Sequence, residues 1–549
     1  MRKRNRILGV LLSMAMAFSL TACGGTSSGT GTADTGTADT GAAKETQVQN
    51  NSAGEISDEA KDANWVTIIS PSDNGSLNIY TNTIGKPGKI MVEPFVQTLW
   101  QYNKDMELEG VLCEDFVYDE DGMGITLKLR QGISWHNGDE FTSADVVYTL
   151  GTMLAESPAA PNYNFIDYAD VTAVDDYTVH VGLSRQMGLF EHRCSDLYMY
   201  CKSFEEGTNT TGTDGSELLE CGTGSYIVTE YEKDDHASYK RNDAYWQDIA
   251  KLDGITIRFI GEAATAFLEV QTGEAQISLN ISASDQADVL NGKYENLNIS
   301  NGANMSHYAI GMNQYNPYFE SPEVREAVNY AINREEVFAV AFEGVGTMAY
   351  TPVCVDVFGF DEQYKENYPF PYDPEKAREL LAQAGYADGF SCSFAIENNT
   401  IQKTMAELVQ GYLAEVGITV TIDMYEAAAL TEVLKGADWG LCQAMCNMNG
   451  DPSSALNFQC NIHNVGTSDK FNNDRDPIAQ ECTKLLEEAE TISNPEEREK
   501  VYFEFQKLYF ESPWEVPVCD QSIYAVYSNQ LDGYWGAGVQ PHFGELSFK

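Results

Sequence analysis

The chain has 549 residues and a formal net charge of −49 at pH 7, from 83 acidic and 34 basic residues. This length exceeds what one ordinary hydrophobic core holds, and it suggests three or four units or one large two-lobed protein. The strong negative charge makes nucleic acid and anionic lipid headgroups poor partners, and its simplest consequence is solubility.

Residues 1–22 are predicted to be a signal peptide and not part of the fold. Four basic residues lie within the first six positions, and residues 7–18 form an apolar run too short to remain as a membrane-spanning helix. The sequence Leu-Thr-Ala-Cys that ends at Cys23 is typical of a lipoprotein cleavage site, so we expect Cys23 to be acylated. The alternative is an ordinary secretory peptide in which Cys23 is incidental. Removal of the leader would change the net charge from −49 to −53 because it carries four cations and no acid.

Residues 23–64 are predicted to be a flexible tether between lipid and globule. They are rich in Gly, Thr, Ser, Ala and Asp, and they contain the near-repeat GTADTGTADTG. Such a segment cannot bury enough apolar surface to offset the entropy of ordering it.

The cysteines argue against a disulfide framework. Of the twelve, Cys23 is assigned to the lipid, which leaves an odd number without the spacing of a small disulfide-rich domain. Cys442 and Cys446 lie four residues apart on a predicted strand and therefore on one face. We expect them to be buried as small apolar side chains, with no metal or redox role.

The ordered chain is predicted to begin with a strand at residues 65–69, followed by a polar loop at 70–76. Residues 91–102 carry Val92, Phe95, Val96 and Leu99 at helical spacing, which predicts a helix with a core-facing stripe.

Residues 112–154 combine a hairpin, a tight turn and a capped helix. Phe116–Tyr118 and residues 125–129 are rich in β-branched and aromatic residues and flank an acidic turn, which predicts two paired strands. Thr142 with Asp145 three residues later is typical of a capping box that opens a helix from Ser143 to about Leu154.

This order of elements resembles a signature of the extracytoplasmic solute-binding proteins that serve oligopeptide, dipeptide and nickel ABC importers. Two further stretches are similar to family elements: the hairpin VTAVDDYTVHV at residues 171–181 and the element RNDAYW at 241–246. The loop CGTGSY at 221–226 has Ser225 where the family usually has proline, so the turn is expected to be looser.

The second half alternates helices and strands. Pro322 and Pro374 each follow a capping residue at the start of an apolar-striped helix, and VREAVNYAINREEV at 324–337 is a specific family match. Further helices are predicted at 403–416, 427–435 and 494–511, with strands at 418–422, 439–446 and 523–527. The alternation over residues 403–446 predicts a mostly parallel sheet, and the strand at 523–527 is expected to return the chain to the first lobe.

The resemblance implies an α/β fold of two hinged lobes, like the periplasmic binding proteins, with mixed sheets flanked by helices. The expected organisation is a first lobe at 65–308, a second lobe at 309–515 and a return to the first lobe at 516–549.

No stretch of the sequence carries an enzyme motif. The patterns H-E-x-x-H and the phosphate-binding G-x-x-x-x-G-K-[ST] are absent from the sequence, and the seven histidines are dispersed. The one match to G-x-S-x-G, at residues 25–29, lies in the predicted tether, where no strand-to-helix turn is expected to hold a nucleophile. We therefore expect a non-enzymatic protein that needs no cofactor or metal.

The ligand site is expected where the strand at 439–446 runs into a loop, because open α/β sheets bind ligands beyond the carboxyl ends of strands. In peptide-binding members of the family, an aspartate in this loop pairs with the peptide's α-amine, and the matching position here is Met448. A free-amine peptide would need another acid such as Asp451. The expected contacts are Ser72 and Asn74 in the first loop, Tyr308 and Asn313 at the crossing between lobes, and Asn447, Met448, Asn449 and Asp451 in the second lobe.

The resemblance implies a monomer that captures an extracellular, oligopeptide-like solute by lobe closure and delivers it to an ABC permease, held at the cell membrane through its N-terminal lipid. An oligosaccharide, a modified peptide or a metal chelate remains an alternative solute. An extracellular hydrolase and a surface receptor or adhesin remain alternatives from other classes. In this interpretation, Asp451→Ala weakens ligand-induced closure more than it lowers the melting temperature.

Overall fold

A computed structural model describes residues 63–78, 80, 86–300, 302–436, 438–460, 474, 476–522, 524–537 and 540–549. These residues belong to one compact unit, Ser52–Lys549. The predicted signal peptide, Cys23 and nearly all of the tether lie outside the described residues. Among the helices that the structure does describe, none combines the length and the apolar character needed to cross a membrane.

The described strands are, in chain order, β1 (Trp65–Ser70), β2 (Trp100–Tyr102), β3 (Leu108–Gly110), β4 (Cys113–Tyr118), β5 (Gly124–Leu129), β6 (Ile166–Asp175), β7 (Thr178–Leu183), β8 (Tyr226–Glu232), β9 (His236–Arg241), β10 (Gly254–Phe259), β11 (Ile277–Ser278), β12 (Leu297–Ile299), β13 (Ser306–Met312), β14 (Thr347–Met348), β15 (Phe390–Glu397), β16 (Ile418–Tyr425), β17 (Leu441–Asn447), β18 (Glu515–Gln521), β19 (Val526–Ser528), β20 (Leu531–Asp532), β21 (Trp535–Ala537), β22 (Gln540–His542) and β23 (Ser547–Phe548).

The described α-helices are α1 (Lys86–Val92), α2 (Ser143–Tyr148), α3 (Phe190–Arg193), α4 (Lys202–Glu205), α5 (Ala263–Thr272), α6 (Ala283–Leu290), α7 (Pro322–Ala331), α8 (Arg334–Ala341), α9 (Gln363–Glu366), α10 (Pro374–Gln383), α11 (Thr400–Glu415), α12 (Ala427–Leu434), α13 (Ser453–Cys460), α14 (Pro477–Thr491) and α15 (Pro495–Tyr509). Helix α2 continues as a π-helical segment, Thr149–Leu154, and a 3₁₀ turn covers Ala160–Tyr163.

Two sheets form what we call the first lobe. Within the described chain, one has seven strands in the order β12-β19-β11-β1-β10-β9-β8, and the other has four in the order β4-β5-β7-β6. Buried aromatic and aliphatic side chains from both sheets share one hydrophobic cluster, which includes Ile68, Phe95, Leu127, Trp135 and Tyr239. The two sheets therefore belong to one folded body.

A six-stranded sheet is the centre of what we call the second lobe. The order of its described strands is β14-β18-β13-β17-β15-β16. One face packs against α7, α8, α10 and α11 through a cluster that contains Val328 and Leu413. The other face of the sheet contributes to a separate hydrophobic cluster that contains Cys442, Leu486 and Tyr502. The sheet is thus covered on both sides.

The described strands show two crossings between the lobes. The chain leaves the first lobe after β12 and enters the second lobe with β13, and it returns between β18 and β19, because β19 pairs with β11 and β12. Strand β18 belongs to the sheet of the second lobe, so sheet membership places the return to the first lobe after Gln521. The predicted second lobe ends earlier, at residue 515, and the predicted first part of the first lobe ends at residue 308. Those limits stay predictions.

Most of the predicted elements are confirmed. Strands β4 and β5 form the expected antiparallel hairpin, and β6 pairs with β7 across the Asp175–Asp176 turn. In the capping box, the Asp145 carboxylate accepts a hydrogen bond from the Thr142 backbone N–H at 2.9 Å. Side chains also cap α10 and α15 as their sequences predict.

The helix predicted at residues 91–102 is wrong. Helix α1 ends at Val92, and the chain continues through a turn into β2. Pro94 explains this end, because a proline disfavours helical backbone at the residue before it and cannot donate a hydrogen bond. Phe95 and Leu99 are nevertheless buried, so the apolar stripe was real but not helical.

The prediction of a mostly parallel sheet in the second lobe is also wrong. Strands β15, β16 and β17 pair in parallel, as helical crossovers require, but β13, β14 and β18 pair antiparallel to their neighbours. Strands β13 and β18 carry the crossings between lobes, so their direction is set by those connections and not by a β-α-β unit.

Candidate functional site

A cavity of about 820 Å³ lies between the two lobes. The first lobe contributes the turn that precedes β6 and the segment around α3. The second lobe contributes the end of β17, the loop after it, α13 and the last turn of α14. The end of β17 is the carboxyl edge where the sequence analysis expected the site.

Six amide side chains, five of them asparagines, lie in the lining of this cavity beside six charged residues. The lining asparagines are Asn162, Asn164, Asn447, Asn449 and Asn457. Each amide offers both donors and an acceptor, so the lining can satisfy a ligand that itself carries neutral hydrogen-bonding groups.

Two apolar side chains from the second lobe are also exposed in the cavity. Phe458 and Met445 each have an exposed fraction of 43%. An aromatic ring and a thioether of this kind provide apolar contact surface beside the amides.

Glu490 joins the two lobes at the edge of the cavity. Its carboxylate pairs with the guanidinium groups of Arg193 and Arg185, the latter at 2.8 Å, while its side chain is only 3% exposed. The backbone N–H of Gly188 also donates to the Glu490 carbonyl at 2.7 Å. We call Arg185, Gly188, Arg193 and Glu490 the interlobe clamp.

The carboxylate of Asp451 is already occupied by partners inside the protein. It accepts hydrogen bonds from Arg498 Nε at 2.9 Å, from the Tyr502 hydroxyl at 2.8 Å and from the Ser453 backbone N–H at 2.9 Å. The side chains of Asp451 and Arg498 are 3% and 4% exposed. This is a buried ion pair, whose charge is neutralised within the second lobe.

Two ionisable groups of the first lobe face the cavity in a defined protonation state. Burial lowers the pKa of His192, whose Nδ1 lies 2.8 Å from the Tyr102 hydroxyl, so the ring is neutral at pH 7. Burial alone would raise the pKa of Asp196, but the Lys89 ammonium at 2.9 Å keeps this pKa below its usual value.

The structure brings three of the predicted ligand contacts together in the cavity lining: Asn447, Asn449 and Asp451. Met448 lies among them in sequence but points into the core, where it is 1% exposed and its sulfur accepts the Cys354 backbone N–H at 3.5 Å. Alternating side-chain direction along an extended chain explains the separation.

The other four predicted contacts are not among the residues that line this cavity. Asn313 is buried and bridges the Trp439 carbonyl and the Tyr315 N–H, and Tyr308 packs on Phe342. Ser72 and Asn74 lie in the loop after β1, as expected. Their ligand role stays a prediction.

Sequence reasoning missed Arg185, Arg193, Glu490 and Phe458. Residues 193 and 490 are 297 positions apart, and nothing in their local sequence distinguishes them from other surface charges. A weak signal existed for Phe458, because it lies shortly after the loop already singled out for binding.

The family model "Bacterial extracellular solute-binding proteins, family 5 Middle" matches residues 107–468. The chain belongs to this family. It is therefore a solute-binding protein of the kind that works with ABC importers outside the cytoplasm, and not an enzyme. The family resemblance read from the sequence is confirmed.

Curated relatives support the same assignment. The chain is 29% identical over 472 residues to the glutathione-binding protein GsiB of Escherichia coli K12. The matched region covers 81% of this chain and 87% of the relative. The chain is 28% identical over 475 residues to heme-binding protein A of Haemophilus influenzae, and the match covers 80% of this chain and 83% of the relative.

Solved structures confirm the two-lobed α/β fold. NikA of Brucella suis in complex with Fe(III)-EDTA superimposes with a TM-score of 0.76 at 20% identity, covering 88% of this chain and 100% of that one. DppA of Helicobacter pylori in complex with the peptide STSA superimposes with a TM-score of 0.73 at 23% identity. That match covers 88% of this chain and 98% of DppA.

Proposed function

We propose that this protein captures a polar extracellular solute in the cavity between its lobes and presents it, in a closed form, to an ABC permease. The single observation that carries the proposal is the cavity itself, because both lobes line it. A ligand that touches both lobes stabilises their closed arrangement, whereas one with equal affinity for open and closed forms would shift nothing.

We further propose that the groups of the solute that enter the cavity are uncharged. The buried lining carboxylates are paired within the protein: Glu490 with Arg193 and Arg185, and Asp196 with Lys89. The charges that remain, one cation in the Glu490 group and the carboxylate of Glu487, are of opposite sign and exposed to solvent, which screens them. The lining amides and the exposed Phe458 ring then offer contacts to neutral ligand groups. This chemistry suits a peptide with a blocked amine, or an oligosaccharide.

A peptide with a free α-amine is the second candidate, since the sequence analysis expected Asp451 to bind it. Recruiting Asp451 would require breaking its bond to Arg498, and removing one partner from a buried pair costs about 3–5 kcal/mol. Glu487 is exposed at the rim and is a weaker substitute because solvent screens it.

A matched ligand panel tests both parts of the proposal. The purified mature chain is titrated with short peptides in free and N-acetylated forms and with neutral oligosaccharides, while melting temperature and radius of gyration are measured. We expect some acetylated peptides or sugars to raise the melting temperature and compact the protein. If free-amine peptides bind more tightly than their acetylated forms, the proposal of an uncharged ligand is contradicted, while capture in the cavity is not. No response to any class would contradict capture in this cavity.

We also propose that Cys23 is acylated and holds the protein at the outer face of the cell membrane as a monomer. The leader and the Leu-Thr-Ala-Cys sequence support this. Cells that produce Cys23→Ala should release the protein or retain it with an uncleaved leader, and labelled palmitate should be incorporated only into the wild type. Equal labelling of both chains would contradict lipidation at this residue.

A further inference from the structure

Three potential metal ligands meet inside the second lobe, away from the cavity lining. His307, Cys354 and Asp520 are fully buried, and one ligand atom from each lies within 4.8 Å of the others. It is the one such group of three that the described part of the chain contains.

The sheet places two of these residues side by side. His307 on β13 is the direct cross-strand partner of Asp520 on β18, and on its other side it is the partner of Cys446 on β17. Directly opposed residues on neighbouring strands project from the same face of a sheet. Cys354 reaches this face from the loop after β14.

Glu515 is not one of the three potential ligands, but its carboxylate contacts the His307 ring. His307 Nε2 lies 3.0 Å from a Glu515 carboxylate oxygen, and Nδ1 lies 2.8 Å from Asp520 Oδ1. A carboxylate on one ring nitrogen fixes the orientation of a histidine whose other nitrogen binds a metal. The second Glu515 oxygen is buried and has no hydrogen-bond partner, so this carboxylate is not fully satisfied by the protein alone.

The Asp520 carboxylate is likewise oriented towards the group. Its other oxygen accepts the Val355 backbone N–H at 3.0 Å, next to Cys354 in sequence. His307 Nδ1 and Asp520 Oδ1 lie within hydrogen-bond distance of one another and therefore share a proton. Metal binding would displace that proton and the thiol proton of Cys354.

We propose that His307, Cys354 and Asp520 form a structural binding site for a divalent metal ion of borderline softness, with zinc as the best match. One thiolate, one imidazole and one carboxylate are ligands that Zn²⁺ accepts at about 2.0–2.3 Å. Tetrahedral bonds of that length need the nitrogen and oxygen donors about 3.3 Å apart, so His307 and Asp520 would separate by a few tenths of an ångström. Cys446, the cross-strand partner of His307 on β17, is the candidate for the fourth ligand, and it is the one member of the site that also lines the cavity.

The position of the site gives it a consequence for the fold. Strands β13 and β18 are the two that lead to the lobe crossings, and β17 carries Asn447 at the cavity. A metal held by β13, β18 and the Cys354 loop would fix these strands relative to one another. The sequence analysis expected no metal, because no metal-binding motif is present; His307 and Asp520 are 213 residues apart, so no local pattern joins them.

Metal content measures the proposal directly. The full mature chain is produced in zinc-containing medium without chelators or affinity metals, and bound metals are quantified by mass spectrometry. We expect about one zinc per wild-type chain, a loss of at least tenfold in Cys354→Ser, and no change in Cys442→Ser. Cys442 is the control because it is equally buried and lies on β17.

A second measurement stays informative if Cys354→Ser fails to fold. The wild type produced with cobalt in place of zinc should show the near-ultraviolet absorption of a thiolate–cobalt bond. A wild type with neither bound zinc nor this absorption overturns the proposal, and the residues then form a proton-sharing network only. Equal metal content in Cys354→Ser and wild type overturns it as well.

Discussion

At the scale of single residues, Asp451 shows how a buried pairing changes the role that sequence suggests. From sequence, Asp451→Ala was expected to impair closure more than stability. The buried pair favours the opposite prediction, because the substitution leaves Arg498 as an uncompensated buried charge.

We therefore expect Asp451→Ala to lower the free energy of unfolding by about 3–5 kcal/mol. Urea denaturation followed by circular dichroism measures it, and the double variant Asp451→Ala/Arg498→Met should recover part of the loss because it removes the orphaned charge. A loss below about 1 kcal/mol in the single variant would show that solvent reaches the pair.

Glu220 makes a pH-dependent contribution to stability. Burial, with a smaller effect from Glu205, raises the pKa of Glu220 from 4.5 to about 8, and one of its oxygens is buried without a partner. Because the folded-state pKa is the higher one, stability is fully present below pH 4.5 and is lost as the pH rises towards 8.

Glu220→Gln should consequently be more stable than the wild type at pH 8 by about 2 kcal/mol, allowing for partial solvent access, and equal to it near pH 4. Melting curves across this range measure the difference. Glu217→Gln is the control, since Glu217 is exposed three residues away. A constant difference at every pH would contradict the argument.

At the scale of elements, the interlobe clamp links α14 to the segment around α3. Glu490→Gln removes the charge that holds Arg185 and Arg193, so we expect about tenfold weaker ligand binding, mainly through faster release. Stopped-flow release of a bound probe measures this. Glu488→Gln is the matched control, because Glu488 is exposed on α14 and does not line the cavity, and an equal effect in both variants would exclude the clamp.

The loop after β17 contacts the first lobe with little room to spare. A Cβ added at Gly450 would lie 2.2 Å from a ring carbon of Tyr102, far inside contact distance. We expect Gly450→Ala to hold the lobes apart and to enlarge the ligand-bound form in solution scattering. Combining it with Tyr102→Ala should restore compaction, and failure of that rescue would place the effect elsewhere.

At the scale of the whole molecule, the net charge of −49 opposes the compact state through self-repulsion. Added salt screens this repulsion, and it also weakens exposed ion pairs, whose individual contributions are small. We expect the screening of self-repulsion to outweigh the weakening of the ion pairs. The melting temperature at pH 7 should rise between 20 and 500 mM sodium chloride, and a fall would show that ion pairs dominate.

The sequence by itself determined the local elements and the family. Strand alternation, the Asp145 capping box and the proline-led helices are set by residues within a few positions of one another, so their pattern survives without knowledge of the fold. The same locality explains the failed prediction of a helix at residues 91–102, where an apolar stripe outweighed the effect of Pro94.

The tertiary structure alone decided which side chains form the site. Met448 and Asn447 are adjacent in sequence, yet one fills the core and the other lines the cavity. Arg193 meets Glu490, and His307 meets Asp520, across 297 and 213 residues. Such pairs depend on how two lobes and their crossing strands pack, and that packing is not encoded in the spacing of neighbouring residues.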